Sequence, residues 1–149
     1  MTKILKQQVL LHDMESAELN KMSKIVKKMT FKKGDQLFKE KDDTKGLYLV
    51  HSGKVEISKI TSDGWRQTIA TLTPGHFFGE LSILEKRRHE ASAVAAEDTE
   101  LFLISKEDFE KLMQEDIELA CKIITKIAIV MSKNLRRMND KFLSALISY

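Results

Sequence analysis

The sequence predicts one mainly β domain flanked by helices, because its apolar residues follow two different periods. Short apolar segments separated by turn residues run from about residue 46 to about residue 104, as in a protein built of many short strands. Most of the six glycines and the only proline lie within residues 46–79, among these segments. Before and after them, apolar residues recur at intervals of three and four, which is the spacing of helices.

The strand predictions rest on alternation and on turn residues. Five segments are predicted to be strands: 46–52, 54–60, 65–72, 91–96 and 99–104. The first is almost entirely apolar and predicts a buried strand, whereas the second carries Val55 and Ile57 on one face. Ser52 and Gly53 separate these two strands, and we predict a tight hairpin at that point.

Helices are predicted on both sides of the strands. Residues 16–26 have helical spacing, and Ser16 is the predicted N-cap of this helix. Ser105 and Asp108 have the spacing of a capping box, which predicts that a second helix begins there. A long helix is predicted from about Asp116 almost to the end of the sequence.

Composition excludes several classes of protein. Of the 149 residues, 42% are hydrophobic and 32% are charged, which is typical of a folded globular chain. The apolar runs are far shorter than the roughly 20 residues that span a bilayer, and no secretory signal is visible, so we expect a cytoplasmic protein. Cys121 is the only cysteine, which excludes an internal disulfide and a cysteine-based metal site. A formal net charge of +3 does not by itself indicate a nucleic-acid partner.

The segment PGHFFGELSIL, residues 74–84, is the most informative motif. Gly79 directly precedes Glu80 and a short apolar helical turn. Glycine permits a positive φ or a close backbone approach, and the exposed N–H groups at the start of a helical turn suit an anion. Taken alone the motif is a weak signal, because a turn with a surface glutamate has the same sequence.

Three separated motifs together give a stronger indication. In order and spacing, Gly34, the segment GLYLVHSGKVEI at 46–57 and the segment LTPGHFFGELSIL at 72–84 resemble the cyclic-nucleotide-binding domain family. The sensor domains of the catabolite activator and of the protein kinase A regulatory subunit are of this type. The resemblance covers residues from about 10 to about 140. It implies a double-stranded β-helix, a jelly-roll-like β-roll at about 28–104, followed by C-terminal helices at about 106–147 within one domain, 1–149.

The resemblance also implies a binding site for cyclic AMP or cyclic GMP, and no other cofactor or metal. The backbone from Gly79 to Ser82 would contact the cyclic phosphate, and the Glu80 carboxylate would accept a hydrogen bond from the ribose 2′-hydroxyl. The base would lie against the roll, beneath the long C-terminal helix. The implied ligand-binding residues are Phe78, Gly79, Glu80, Leu81, Ser82, His89, Glu90 and Ala91.

The sequence departs from the family where binding members usually carry an arginine followed by small residues. His89 occupies the arginine position and Glu90 the first small position. If His89 contacts the phosphate, only its protonated ring supplies a charge, so we expect nucleotide affinity to rise as the pH falls from about 8 to about 6. Arg87 and Arg88 are the alternative phosphate contacts, in the case of a loop that is one residue shorter.

Two functions therefore stay open: a nucleotide sensor, or a degenerate member that acts as a dimerising scaffold for an unknown downstream protein. We expect a homodimer through the C-terminal helix in either case. Its predicted seam consists of Ile124, Ile127, Met131, Leu135 and Met138. Specific DNA binding is not expected, because no recognition helix follows the long helix, and membrane binding is not expected. Enzymatic activity is not expected either, because no catalytic or metal-ligand spacing stands out.

Overall fold

The computed structural model describes residues 1–85 and 87–147, except for the side chain of Ser82. The helices are α1 (Thr2–Lys6), α2 (Ser16–Ile25), α3 (Glu80–Leu84), α4 (Lys106–Glu115) and α5 (Ile117–Ile147). The strands are β1 (Lys27–Phe31), β2 (Gln36–Phe38), β3 (Gly46–Ser52), β4 (Val55–Ile60), β5 (Arg66–Leu72), β6 (Phe77–Phe78), β7 (Ser92–Ala95) and β8 (Thr99–Ser105). The five strands predicted from the sequence match β3, β4, β5, β7 and β8 to within about two residues. The elements α1, β1, β2 and β6 were not predicted, because they are short or lack a clear period.

The strands form two antiparallel four-stranded sheets that face each other. The inner sheet has the strand order β1-β8-β3-β6, and the outer sheet has the order β2-β7-β4-β5. Leu49 of β3 is paired with Phe102 of β8 at the centre of the inner sheet. The helices pack on the inner sheet, so the molecule is a mainly β roll with helices on one side, as predicted.

Strand β3 is buried on both of its faces. Tyr48 and Val50 belong to the apolar cluster between the two sheets. Leu47 and Leu49 belong to the second cluster, between the inner sheet and the helices. Successive side chains of a strand point to opposite faces, so a strand with two buried faces must be apolar throughout. This explains the continuous apolar run that the sequence shows at residues 47–50.

The predicted hairpin at Ser52–Gly53 is wrong. β3 pairs with β6 and β8 in the inner sheet, whereas β4 pairs with β5 and β7 in the outer sheet. The turn therefore carries the chain from one sheet to the other. Gly53 has a φ of +88°, and a Cβ atom there would lie 2.4 Å from the carbonyl oxygen of Asp98. Local sequence does not distinguish this crossing from a hairpin, because both require a tight glycine turn.

The N-cap of α2 also differs from the prediction. Glu15 precedes the helix, and its backbone N–H donates to the Glu18 side chain at 3.0 Å. Ser16 is instead the first helical residue. The predicted cap at Ser105 is confirmed, because its hydroxyl oxygen accepts a hydrogen bond from the Asp108 N–H at 3.1 Å.

Helix α5 has a buried first half and an exposed second half. Leu119, Ala120, Ile123 and Ile127 pack into the cluster against the inner sheet and the N-terminal helices. Ion pairs of Lys122 with Glu18 and of Lys126 with Asp13 tie this half to the N-terminal segment. Every described residue of α5 beyond Val130 is exposed. Within the described residues, no helix is both long and apolar enough to cross a membrane.

The burial of Ile127 corrects one part of the predicted dimer seam. Its side chain is only 1% exposed and contacts the core of its own protomer. It is therefore not available to a second copy in this structure. Met131, Leu135 and Met138 are exposed, and Ile124 is partly buried against the core.

The sheet crossing leads to a prediction about stability. Gly53→Ala should lower the free energy of unfolding by more than about 2 kcal/mol, because the new methyl group meets backbone atoms in a left-handed turn. Gly34→Ala is a matched control, since Gly34 has a φ of +90° but nothing within 4 Å of the added atom. We expect Gly34→Ala to lower the free energy of unfolding by about 1 kcal/mol, because only the left-handed backbone conformation disfavours alanine there. Equal losses for the two variants in urea unfolding would show that the crossing imposes no steric constraint.

Candidate ligand-binding pocket

A pocket of about 320 Å³ opens at the end of the roll, beside α3 and the segment that leads into β7. Its walls come from strands β2, β4, β5 and β6 and from these two segments. The sequence-predicted residues among the lining are Phe78, Gly79, Glu80, Leu81, Arg87, Arg88, His89, Glu90 and Ala91. The structure thus brings residues from two separate segments of the sequence to one site. The side chain of Ser82 lies outside the described part of the chain.

Gly79 is held in a conformation that favours glycine. Its φ is +84°, and it stands directly before the first residue of α3. A Cβ atom at this position would lie 2.7 Å from the Gly46 carbonyl oxygen and 3.3 Å from the ring of Tyr48. The Tyr48 ring stacks on Phe78, with ring centroids 5.0 Å apart. The close approach fixes α3 against β3 and directs the start of α3 toward the pocket.

Glu80 is the half-buried carboxylate of the pocket. Burial raises the pKa of Glu80, and a hydrogen bond from its own backbone N–H partly offsets that effect. None of the other described residues forms an ion pair or a hydrogen bond with its side chain. A half-buried carboxylate without such a partner is well suited to accept a hydrogen bond from a ligand hydroxyl.

His89 anchors the wall of the pocket and does not present a charge to it. The residue is 9% exposed, and its ring stacks on Phe38 at a centroid distance of 3.4 Å. Its backbone N–H donates to the Asp42 carbonyl oxygen at 3.0 Å, and its own carbonyl oxygen accepts from the Lys41 N–H at 2.7 Å. The Nε2 atom is buried and has no hydrogen-bond partner among the described residues.

The pKa of His89 is shifted in the direction opposite to the one expected from the sequence, which was a protonated ring. Burial lowers the pKa of His89, the charge of Asp42 acts in the opposite direction, and the charge of Lys106 lowers it further. Burial away from water favours the neutral form of an imidazole. The structure therefore does not support a protonated His89 as the source of tighter binding at low pH.

The charges near His89 lie on its neighbours. The Arg87 guanidinium pairs with Glu85 at 3.0 Å and with Glu90 at 2.9 Å. Arg88 pairs with Asp43 at 3.4 Å. Both arginines are largely exposed at the pocket mouth, while the neighbouring His89 points into the roll.

Two features of the pocket were not anticipated from the sequence. Apolar and small residues of the roll line one wall, namely Phe38, Thr44, Ile57, Ile69, Ala70, Leu72 and Phe77, and Lys59 also contributes to the lining. The alternation of Val55 and Ile57 was the only local signal for this wall. No described residue of α5 lines the pocket, so the predicted cover by the long helix is absent here. The first half of α5 packs on the N-terminal segment instead.

The described residues contain no group of three metal-ligating side chains. A glycine-supported turn, a half-buried carboxylate and an apolar wall define a site for a small polar ligand with an apolar part.

Comparison with known proteins identifies the class of protein. Residues 28–116 match the family described as "Cyclic nucleotide-binding domain", and the chain belongs to that family. It is a family of regulatory, non-enzymatic domains.

Several characterised proteins are similar to this chain. The cyclic AMP receptor protein of Thermus thermophilus is 36% identical over 105 residues, which are 70% of this chain and 49% of that protein. The anaerobic regulatory protein of Bacillus subtilis is 33% identical over 131 residues, 87% of this chain and 53% of that protein. The chain thus spans about half the length of these relatives.

Solved structures agree on the fold. The catabolite activator protein of Thermus thermophilus superimposes with a TM-score of 0.78 and 30% identity, covering 91% of this chain and 62% of that one. A cyclic nucleotide-binding domain from Methylobacillus flagellatus superimposes with a TM-score of 0.85 over 95% of this chain and 84% of that one. At 21% identity, this second likeness concerns the fold alone.

The role of His89 as a neutral anchor leads to a second prediction. In a titration followed by NMR, the His89 ring should take up its proton below pH 6.5, the ordinary histidine value, because burial disfavours the cation. His89→Phe should keep the stack on Phe38 and leave the folded structure intact, whereas His89→Ala should destabilise it by about 1–3 kcal/mol. A ring that titrates above its ordinary value would show that His89 faces an anion after all.

Proposed function

We propose that this domain is a regulatory sensor that binds cyclic AMP or cyclic GMP in the pocket beside α3. The observation that carries the proposal is the pairing of Gly79 with a half-buried Glu80 at the start of α3, whose carboxylate has no partner on another described residue. The volume of about 320 Å³ falls in the range of small-molecule sites, roughly 300–1,000 Å³. Membership of the cyclic nucleotide-binding domain family supports the same ligand class.

Each part of the ligand has a matching part of the pocket. The backbone N–H group at Leu81 would donate to the cyclic phosphate, since it lacks a helical acceptor. The Glu80 carboxylate would accept from the ribose 2′-hydroxyl. Ile57, Ile69 and Leu72 would contact the base and remove apolar surface from water.

The direct test of nucleotide binding is a calorimetric titration of the purified chain with cyclic AMP and with cyclic GMP.

The raised pKa of Glu80 predicts how binding depends on pH. The hydroxyl of the ligand stabilises the ionised carboxylate, so binding favours deprotonated Glu80 and opposes its protonation. Affinity should therefore be highest at neutral pH and should fall as the pH drops toward the pKa of Glu80, which lies above 4.5. This direction is opposite to the one expected from the sequence for His89.

Glu80→Gln is the matched variant, because it keeps an acceptor oxygen and removes the charge. We expect its affinity to be about tenfold lower at neutral pH and nearly independent of pH down to about 5. Wild-type affinity that rises on acidification would contradict the assignment of Glu80. No binding of either nucleotide at millimolar concentration would favour the scaffold function instead.

We propose in addition that α5 pairs with α5 of a second copy. Along one side of α5, apolar residues recur in steps of three and four, the spacing of a coiled-coil seam. This side is exposed except for the partly buried Ile124. The members of this row are Cys121, Ile124, Ala128, Met131, Leu135, Met138 and Phe142. Met138 and Phe142 are 65% and 66% exposed, which is unusual for large apolar side chains on one helix face. Ala128 takes the place that the sequence analysis gave to Ile127.

With the revised seam, substitutions that prevent dimer formation differ from those that destabilise the protomer. Leu135→Glu and Met138→Glu together should give folded monomers, because paired charges at a helix seam lose their solvation. Ile127→Glu should lower the free energy of unfolding instead, since this side chain lies in the protomer core. Lys133→Glu, on the opposite side of α5, is the control that should stay dimeric. A wild-type chain that sediments as a monomer at tens of micromolar would overturn the seam.

Specific DNA binding by this chain and a contact with membranes stay negative expectations, and the downstream protein partner is unidentified. A salt-resistant shift of one DNA sequence in a gel assay would contradict the first expectation.

A further inference from the structure

The mouth of the pocket carries several charged side chains, and the described ones are unequally engaged. Lys59, Arg87 and Arg88 are the cations that line it, and Glu80 and Glu90 are the carboxylates. Glu80 faces the pocket without an ion-pair partner among the described residues. Glu90 is paired with Arg87, within hydrogen-bond distance. Arg87 thus binds a carboxylate of its own chain, that of Glu90.

Arg87 contacts one carboxylate that precedes it in the sequence and one that follows it. Its Nε atom lies 3.0 Å from Glu85, which caps the end of α3. One of its terminal nitrogens lies 2.9 Å from Glu90, just before β7. The stack of His89 on Phe38 and its two backbone hydrogen bonds fix the segment between Arg87 and Glu90. The fold around His89 therefore keeps the backbones of Arg87 and Glu90 close together, while both side chains stay more than half exposed.

We propose that Arg87 is the residue that binds the phosphate of the ligand, and that Glu90 is a built-in competitor that occupies Arg87 until the phosphate displaces it. This inference rests on the proposed function, and it concerns the regulation of the same site. It gives a role to the glutamate that the sequence places where a small residue is usual.

The phosphate of the ligand can replace the Glu90 carboxylate at Arg87, because both groups are anions that accept hydrogen bonds from a guanidinium. A guanidinium group offers five N–H donors in a planar fork, which fits a carboxylate and a phosphate equally well. An exposed ion pair contributes little net stability, so an incoming anion can replace Glu90 at low cost. The remaining contact with Glu85 keeps the guanidinium beside α3 during the exchange. Glu90 then reduces the affinity for the nucleotide without abolishing it.

The competitor model makes a quantitative prediction for Glu90→Gln. Its affinity for cyclic AMP should be about three- to fivefold higher than that of the wild type, because the arginine is free before the ligand arrives. Arg87→Gln should bind about tenfold or more weakly, because a charge-assisted hydrogen bond is lost. In the Arg87→Gln background, Glu90→Gln should give a clearly smaller gain. Arg88→Gln should have a smaller effect than Arg87→Gln, because Arg88 is turned toward Asp43.

Two controls separate competition from net charge. Glu56→Gln removes the same charge from an exposed position on β4 that does not line the pocket, and its affinity should match the wild type. Adenosine, which lacks the phosphate, should bind wild type and Glu90→Gln with equal affinity. All titrations are done by calorimetry at one salt concentration, since the effect is electrostatic.

The outcomes distinguish this inference from the proposed function. Binding of cyclic AMP that is indifferent to Arg87→Gln, or is weakened more by Arg88→Gln, overturns the inference and leaves the proposed function. An equal gain from Glu90→Gln in the wild-type and Arg87→Gln backgrounds means that Glu90 acts by repulsion alone, and it also overturns the inference. No binding of cyclic AMP by the wild type or Glu90→Gln at millimolar concentration overturns both.

Discussion

The burial of β3 and β8 on both faces constrains most of the structure. One face of each strand closes the roll interior, through residues such as Tyr48 and Leu103, and the other supports the helices, through residues such as Leu49 and Phe102. A polar side chain on either face would be buried without a partner, at a cost of roughly 1–3 kcal/mol or more. The helices must therefore pack on the inner sheet, and the pocket lies beside α3 among strands β2, β4, β5 and β6.

The same strand sets the position of the functional residues. The first residue of β3 is Gly46, and its carbonyl oxygen lies against Gly79, so α3 approaches the inner sheet closely. This contact brings Glu80 to the pocket and buries it enough to raise its pKa. The fold of the inner sheet and the acid–base properties of the site are thus parts of one packing arrangement.

The site differs from the family pattern in how it distributes charge. A neutral imidazole fills the space beside Phe38 and fixes the closing segment, while the guanidinium groups of Arg87 and Arg88 lie in solvent at the mouth. A wall that is held by stacking does not need a buried cation. An arginine outside the wall can exchange partners, which a fully buried ion pair does not do readily.

Helix α5 lies partly in the core and partly in solvent. Its first half completes the core beneath the inner sheet, and its second half extends away with a continuous apolar row. A helix that projects beyond its domain leaves one side uncovered, and the proposed second copy would cover such a row. No described residue of α5 lines the pocket, whereas Ile83 of α3 packs against the helical cluster, so α3 is the element that connects the two regions.

Much of this protein could be predicted from the sequence, because local patterns report local structure. The apolar run at residues 47–50 predicted a buried strand, Ser105 and Asp108 predicted a helix start, and the Gly79–Glu80 motif predicted a glycine turn before a short helix. Each of these signals depends on neighbours within a few residues. The short strands β2 and β6 lack such a signal, since they have too few residues to show a period.

The tertiary structure decided which partners these elements meet. The turn at Gly53 is equally suited to a hairpin and to a crossing between sheets, and only the pairing of β4 with β5 and β7 distinguishes the two. Ile127 has the spacing of a seam residue, but the fold buries it in the protomer. His89 occupies an arginine position in the sequence, but its burial on Phe38 makes it a neutral anchor. The sequence by itself determined which residues form each element, whereas burial and charge at the site arise from contacts between residues that are distant in the chain.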